Sequence, residues 1–170
     1  PGLGGHCISI DPFYLTWKAK EFGMNTRFIE LAGEVNTFMP EYVIDKISNA
    51  LNSSGKAIKG SKILILGLSY KKNVDDLRES PSLEIIDKLK DKGGNIFFSD
   101  PFFEFVPNTR KYKLDLESIE LSIKNIKSFD IIILATDHDS FDYKLIQDNA
   151  KLIVDTRGKF DIDSDNVIYS

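Results

Sequence analysis

Four short apolar runs dominate the chain beyond residue 61: KILILG (62–67), NIFFSD (95–100), DIIILAT (130–136) and KLIVDT (151–156). Each is strand-sized and almost continuously apolar. That is the pattern of a strand buried on both faces, not of one with a wet side. Helical patterns separate them: Ser80-Pro81 to about Lys92, Glu117 to Ile126, and Phe141 to Asn149, with NVIYS (166–170) as a last edge strand. Alternating strands and helices predict a parallel sheet, and right-handed crossovers place helices on both of its faces. The predicted fold class is α/β: a helical arm followed by a Rossmann-like, doubly wound parallel-sheet domain.

The arm is the part before residue 56. Asp11-Pro12 predicts a helix start, since Asp can cap free amides and Pro fits the first helical position. Phe13, Trp17 and Phe22 give that helix an apolar face, and Gly23 closes it. A second helix is predicted over Arg27–Glu34. A third, near Pro40–Leu51, carries Met39, Val43, Ile47 and Leu51 on one stripe. NSSGKAIKGS (52–61) reads as a linker. The predicted domains are therefore 1–55, a helical central segment, and 56–170, the Rossmann-like domain.

With 170 residues the chain can bury a sizeable core. Its net charge of −4, without a dense Lys/Arg block, argues against a nucleic-acid partner. No apolar run has the length of a membrane span and no signal peptide is visible, so no membrane partner is expected. The single cysteine excludes an internal disulfide and fits a reducing, cytoplasmic setting.

Open α/β sheets bind ligands beyond the carboxyl ends of their strands. Three loops lie there. LSYKKNVDDLRESP (68–81) is longer than an ordinary βα connection. Its Lys71, Lys72 and Arg78, followed by a helix start, suit an anion such as phosphate. Alternatively, the lysines are solvated and Arg78 pairs with Asp75 or Asp76. In ATDHDSF (135–141), His138 is either a base or a helix cap or packing residue. In DTRGKF (155–160), Arg157 is either a clamp for phosphate or carboxylate, or a partner for nearby aspartates. The G-x-G-x-x-G dinucleotide fingerprint after a strand is missing, so a nucleotide other than NAD is the better ligand for this crevice.

The lone cysteine lies in PGLGGHCISIDPFYL (1–15), predicted as a loop ahead of the Asp11-Pro12 helix. Gly2, Gly4 and Gly5 would let a ligand approach backbone amides. The helix dipole, nearby amides and a protonated His6 would favour the reactive thiolate. The competing reading is a buried structural cysteine, with Asp11 a simple cap.

Three segments in order resemble the UDP-glucose/GDP-mannose dehydrogenase family of nucleotide-sugar 6-dehydrogenases: PGLGGHCISIDPFYL, GLSYKKNVDDLRESPSLEII (67–86) and IVDTRG (153–158). The form of the first is most similar to the branch acting on UDP-N-acetylhexosamines, in cell-surface polysaccharide synthesis. The resemblance implies oxidation of a C6 alcohol to a carboxylate with NAD as cofactor. It implies that Cys7 is the nucleophile that becomes a thioester, and that Asp11 handles water and a proton. Gly2, Leu3, Gly4, Tyr70, Lys71 and Arg157 correspond to substrate contacts, and Cys7 and Arg78 to groups beside NAD. It implies a homodimer through the helical segment, with the Met39, Val43, Ile47 and Leu51 stripe at the interface. Because the chain opens at Pro1 inside the first motif, it is read as the carboxyl-terminal part of a longer enzyme, inactive alone. The alternatives are a UDP-glucose or GDP-mannose 6-dehydrogenase, and a non-catalytic nucleotide-binding or dimerisation module.

Overall fold

A computed structural model describes residues 1–109 and 111–170. Its centre is a five-stranded parallel sheet in the order β2-β1-β3-β4-β5. The strands are β1 (Lys62–Leu66), β2 (Asn95–Ser99), β3 (Ile131–Leu134), β4 (Ile153–Asp155) and β5 (Val167–Tyr169). All five fall where the apolar runs predict them. Alternation splits the strand side chains between two cores. Ile63, Ile65, Ile131, Ile133 and Val154 face one side, with α2 (Arg27–Ser53) and α3 (Pro81–Asp91). Leu64, Leu66, Ile132, Leu134 and Ile153 face the other, with α4 (Ile123–Ser128) and α5 (Tyr143–Asn149). The α/β class and doubly wound architecture are as expected.

The helix ends follow local capping. Ser80 caps α3, its hydroxyl accepting from the Ser82 amide, with Pro81 at the first position. Asp142 caps α5 through the Leu145 amide. The helix expected over Glu117–Ile126 is only α4, because Ser122 caps the chain there, accepting from the Asn125 amide. Glu117 and Ser118 instead form isolated bridges to Phe105 and Phe98.

The arm departs from expectation in three ways. First, α1 (Cys7–Glu21) begins four residues before Asp11, so Asp11 is not its cap and Pro12 lies inside the helix. The start is set by a tether, not a cap. The Gly5 amide donates to the Arg78 carbonyl (2.8 Å), and the helix begins two residues later. Second, the two helices expected over 27–34 and 40–51 are one continuous helix, α2. It runs through Pro40, whose ring is buried. Proline removes one helical hydrogen bond, and tertiary packing around this ring overrides that loss. Third, Val43, Ile47 and Leu51 are fully buried against this chain's own α3 and sheet, and Met39 is half-buried. Val43, Ile47 and Leu51 are therefore not free to form a subunit interface. Within the arm, apolar residues left exposed include Trp17 and Phe22 in and just after α1, and Phe28, Leu31 and Phe38 in the first half of α2. The 52–61 stretch is not a loose linker either. Ile58 is in the core, and Lys56 pairs with Asp130 at the foot of β3.

Among the described residues no helix is long and apolar enough to cross a membrane. Truncating Leu51 to Ala should lower unfolding free energy by about 2–5 kcal/mol, read by urea denaturation. A change close to zero would show that the second half of α2 is not part of this core.

Candidate functional site

The strand order reverses between β1 and β3, which marks the ligand crevice of an open α/β sheet. Register brings the carboxyl ends of the strands level. Leu66 pairs with Ser99 on one side and Leu134 on the other, and Leu134 pairs with Asp155. The residues that follow these ends therefore converge. Gly67 has φ +84°, and a Cβ there would lie 2.5 Å from the Thr136 carbonyl oxygen. Only glycine allows the loops after β1 and β3 to pass so closely.

Beneath the crevice is a polar knot that sequence reasoning missed. Asp100 follows β2 with its side chain fully buried. Its Oδ2 accepts from the amides of Leu68 (2.6 Å) and Ser69 (3.4 Å), and its Oδ1 from the Phe102 amide (2.8 Å). The fourth partner is His138 Nε2, 3.2 Å from Oδ2. Burial pushes the Asp100 carboxyl up. Hydrogen bonds from His138 and from the Leu68 and Phe102 amides outweigh it and leave the group below the usual carboxylate range. His138 is neither an accessible base nor a helix cap. It is fully buried, packed between Phe102 and Phe141.

The first loop carries the expected cations. Lys71 is exposed, whereas Lys72 and Asn73 are committed to Asp139 across the crevice. Those two partners hold the Asp139 carboxyl below its ordinary range, Asn73 first and Lys72 second. Arg78 grips Asp76, with Nε 3.0 Å from both carboxylate oxygens and Nη2 2.7 Å from Oδ2. This pairing keeps the Asp76 carboxyl low. Local pairing is thus the arrangement at Lys72 and Arg78, and Lys71 is left to solvent.

Arg157 follows β4 and is half-buried. Its Nε donates to the Ala135 carbonyl (2.8 Å), which turns the guanidinium toward the end of β3. Among the described residues no carboxylate lies within ion-pair distance of it. Burial lowers its tendency to hold a proton, against the pull of Asp137 and Asp155. The loop is set by Asp155, another buried carboxylate missed in the sequence. It accepts from the amides of Arg157, Gly158, Lys159 and Phe160. The N-terminal segment lies against the β1 loop, at Tyr70 and Glu79.

That segment supplies the remaining candidates. A Cβ on Gly4 would lie 2.5 Å from Tyr70 Cβ and 2.7 Å from the Glu79 carbonyl oxygen. One on Gly5, at φ +80°, would lie 2.9 Å from the Tyr70 ring. The glycines thus admit close approach of this chain's own β1 loop. The Leu3 amide donates to Asn36 Oδ1 (2.6 Å) on α2. Leu3 lines a cleft of about 520 Å³ with Phe13, Asn36, Glu79, Pro81 and Lys111. Beyond the pinned glycines, Cys7 opens α1 with an exposed thiol. The positive end of a helix favours negative charge at that position. Asp11 is exposed one turn further, on the same face of the helix as Cys7. The structure thus packs Gly4 and Gly5 on Tyr70 and ties Gly5 to the Arg78 backbone just ahead of Cys7, with Asp11 one turn on; Gly2 and Leu3 lie by Asn36, and Lys71 and Arg157 stand on the loops after β1 and β4.

A dinucleotide does not fit the α/β crevice. The 14-residue connection from Gly67 to Ser80 is no tight phosphate-binding turn, and Asp100 and His138 occupy its base. Among the NAD contacts expected in this chain, Arg78 is the one with an exposed charged side chain.

Residues 64–162 match the UDP-glucose/GDP-mannose dehydrogenase family, UDP binding domain, and residues 1–38 match the same family's central domain. UDP-N-acetyl-D-mannosamine dehydrogenase of Methanococcus vannielii is 36% identical over 168 residues, covering 99% of this chain and 36% of that protein. NDP-N-acetyl-D-galactosaminuronic acid dehydrogenase of Ralstonia solanacearum is 36% identical over 163 residues, 93% of this chain and 35% of that one. A solved structure of UDP-D-ManNAc dehydrogenase from Pyrococcus horikoshii superposes with a TM-score of 0.79 at 26% identity, covering 99% of this chain and 38% of that one. The chain therefore spans a little over a third of the length of the curated relatives it matches.

Replacing Gly4 by Ala should lift the N-terminal segment off Tyr70. Hydrogen exchange should then show the Gly5 amide, bound to Arg78, losing its protection. Unchanged protection would mean that this approach does not hold Cys7 in place.

Proposed function

The chain belongs to the UDP-glucose/GDP-mannose dehydrogenase family, and from that premise we propose that it supplies the nucleotide-sugar-binding domain and the nucleophile of a UDP-sugar 6-dehydrogenase. The carrying observation is the exposed Cys7 thiol at the start of α1, on a segment packed against Tyr70 and bonded to Arg78. A structural cysteine would be enclosed; this one opens onto the face that the β1 loop shares. The proposed substrate is UDP-GlcNAc or UDP-ManNAc, which agrees with relatives named for N-acetylhexosamine nucleotides.

In the proposed reaction the C6 alcohol becomes a carboxylate, with NAD as the oxidant. The C6 alcohol would lose a hydride to one NAD and become the aldehyde. Cys7 Sγ adds to that carbonyl as a thiohemiacetal, which would lose a second hydride to another NAD and become a thioester, and water cleaves this to free the thiol and the carboxylate. Asp11, one turn away, holds that water or its proton. Lys71 and Arg157 meet the diphosphate and sugar, and Gly2, Leu3, Gly4 and Tyr70 line the path between nucleotide and thiol. Arg78 and Cys7 are the groups of this chain placed toward NAD. The proposed division is 1–55 as the helical, dimerising segment and 56–170 as the UDP-sugar domain, and the chain is read as inactive alone. Two copies are proposed to associate through the exposed Trp17, Phe22, Phe28 and Phe38 instead of the buried stripe.

Calorimetry with UDP tests the binding part of this reading. The 170-residue chain should bind UDP weakly, and Arg157→Ala should weaken it by about 10- to 100-fold, the usual loss for a charged hydrogen bond. Equal affinity in both proteins would count against the role given to Arg157.

A further inference from the structure

We infer that His138 is a positioning residue for the β1 loop: one buried imidazole joins the root and tip of the segment that carries Tyr70 and Lys71. The inference rests on the reading that this loop meets a UDP-sugar.

Both ring nitrogens are committed. The Asn73 amide donates to Nδ1 (3.0 Å). A backbone amide can only donate, so Nδ1 is bare and the proton sits on Nε2. That Nε2–H donates to Asp100 Oδ2 (3.2 Å). Asp100 in turn holds the amides of Leu68 and Ser69, where the loop leaves β1. Asn73 is the loop tip, held at φ +60°. Between root and tip lie Tyr70, Lys71 and Lys72.

The rest of the loop closes on itself around this bridge. Ser69 Oγ donates to the Val74 carbonyl (2.6 Å), and the Tyr70 amide to the Asp76 carbonyl (3.0 Å). Thr136 Oγ1 donates to the Ser69 carbonyl (2.5 Å). His138 itself cannot drift, because its carbonyl accepts from the Tyr143 hydroxyl (2.7 Å). His138 thus holds both ends of a loop whose own bonds fix Ser69 and Tyr70, and Tyr70 packs on Gly4 and Gly5 two residues before Cys7. His138 touches neither the thiol nor solvent, so it acts through the loop and not on the substrate.

The test uses the 170-residue chain with UDP as probe. In wild type, 15N shifts of labelled His138 should show a bare Nδ1 and a protonated Nε2; the opposite tautomer would overturn the assignment. His138→Ala should lose Asn73 amide protection and weaken UDP binding by about tenfold, the loss of one hydrogen bond's worth of order. His138→Asn keeps an acceptor near the position of Nδ1. It should recover Asn73 protection and part of the UDP affinity, a rescue that mere filling of the core would not produce. If wild type binds UDP and both variants bind equally well, His138 does not position the loop. Should His138→Ala fail to fold, absence of rescue in His138→Asn has the same meaning. No UDP binding by wild type would instead overturn the nucleotide reading itself, and this role with it.

Discussion

Everything placed around the thiol depends on the close approach of the Gly4–Gly5 backbone to Tyr70 and Glu79. Side chains at those two positions would occupy the space of the Tyr70 ring and the Glu79 carbonyl. Their absence lets the N-terminal segment lie on the β1 loop. The Gly5–Arg78 and Leu3–Asn36 hydrogen bonds then anchor it to both the α/β domain and α2. Helix α1 can begin only where that anchoring ends, at Cys7. The place of Cys7 is therefore a consequence of backbone packing, and the helix direction carries Asp11 along with it.

The loops that receive this segment are stiffened from below by buried carboxylates. Asp100 after β2 and Asp155 at the end of β4 sit at level strand ends and collect backbone amides that would otherwise go unpaired. A buried ionised group is costly alone and strongly bound when its lone pairs are filled. Each carboxylate thereby turns an irregular loop into a fixed platform. Asp100 orders the loop with Tyr70 and Lys71, and Asp155 the loop with Arg157. Charged side chains on these loops are thus carried by a backbone that is already ordered.

The sheet was legible because its strands are buried on both faces, which leaves little freedom in composition: Ile131 to Leu134 reads only one way. The cap of α3 was legible for a similar local reason, since Ser80-Pro81 acts through bonds within one turn. The errors arose where tertiary contacts overrule local signals. Asp11-Pro12 has the form of a helix start, yet the Gly5–Arg78 tether starts the helix earlier. Pro40 has the form of a break, yet its ring is buried within α2. The Val43, Ile47 and Leu51 stripe was correctly apolar, but no spacing rule says whether such a stripe faces the same chain or another. For the candidate site, Cys7, Tyr70, Lys71, Arg78 and Arg157 can be proposed from their motifs. Asp100, Asp155 and the bridging of His138 were not, because their partners are backbone amides far away in sequence.

The central claim is that the Cys7 thiol and the nucleotide-sugar loop form one site. Its most direct measurement is the rate at which iodoacetamide alkylates Cys7, with and without saturating UDP-N-acetylhexosamine. The account predicts rapid modification of the free chain and a several-fold slowing when the sugar nucleotide is bound. An unchanged rate, with binding verified in the same sample, would contradict it.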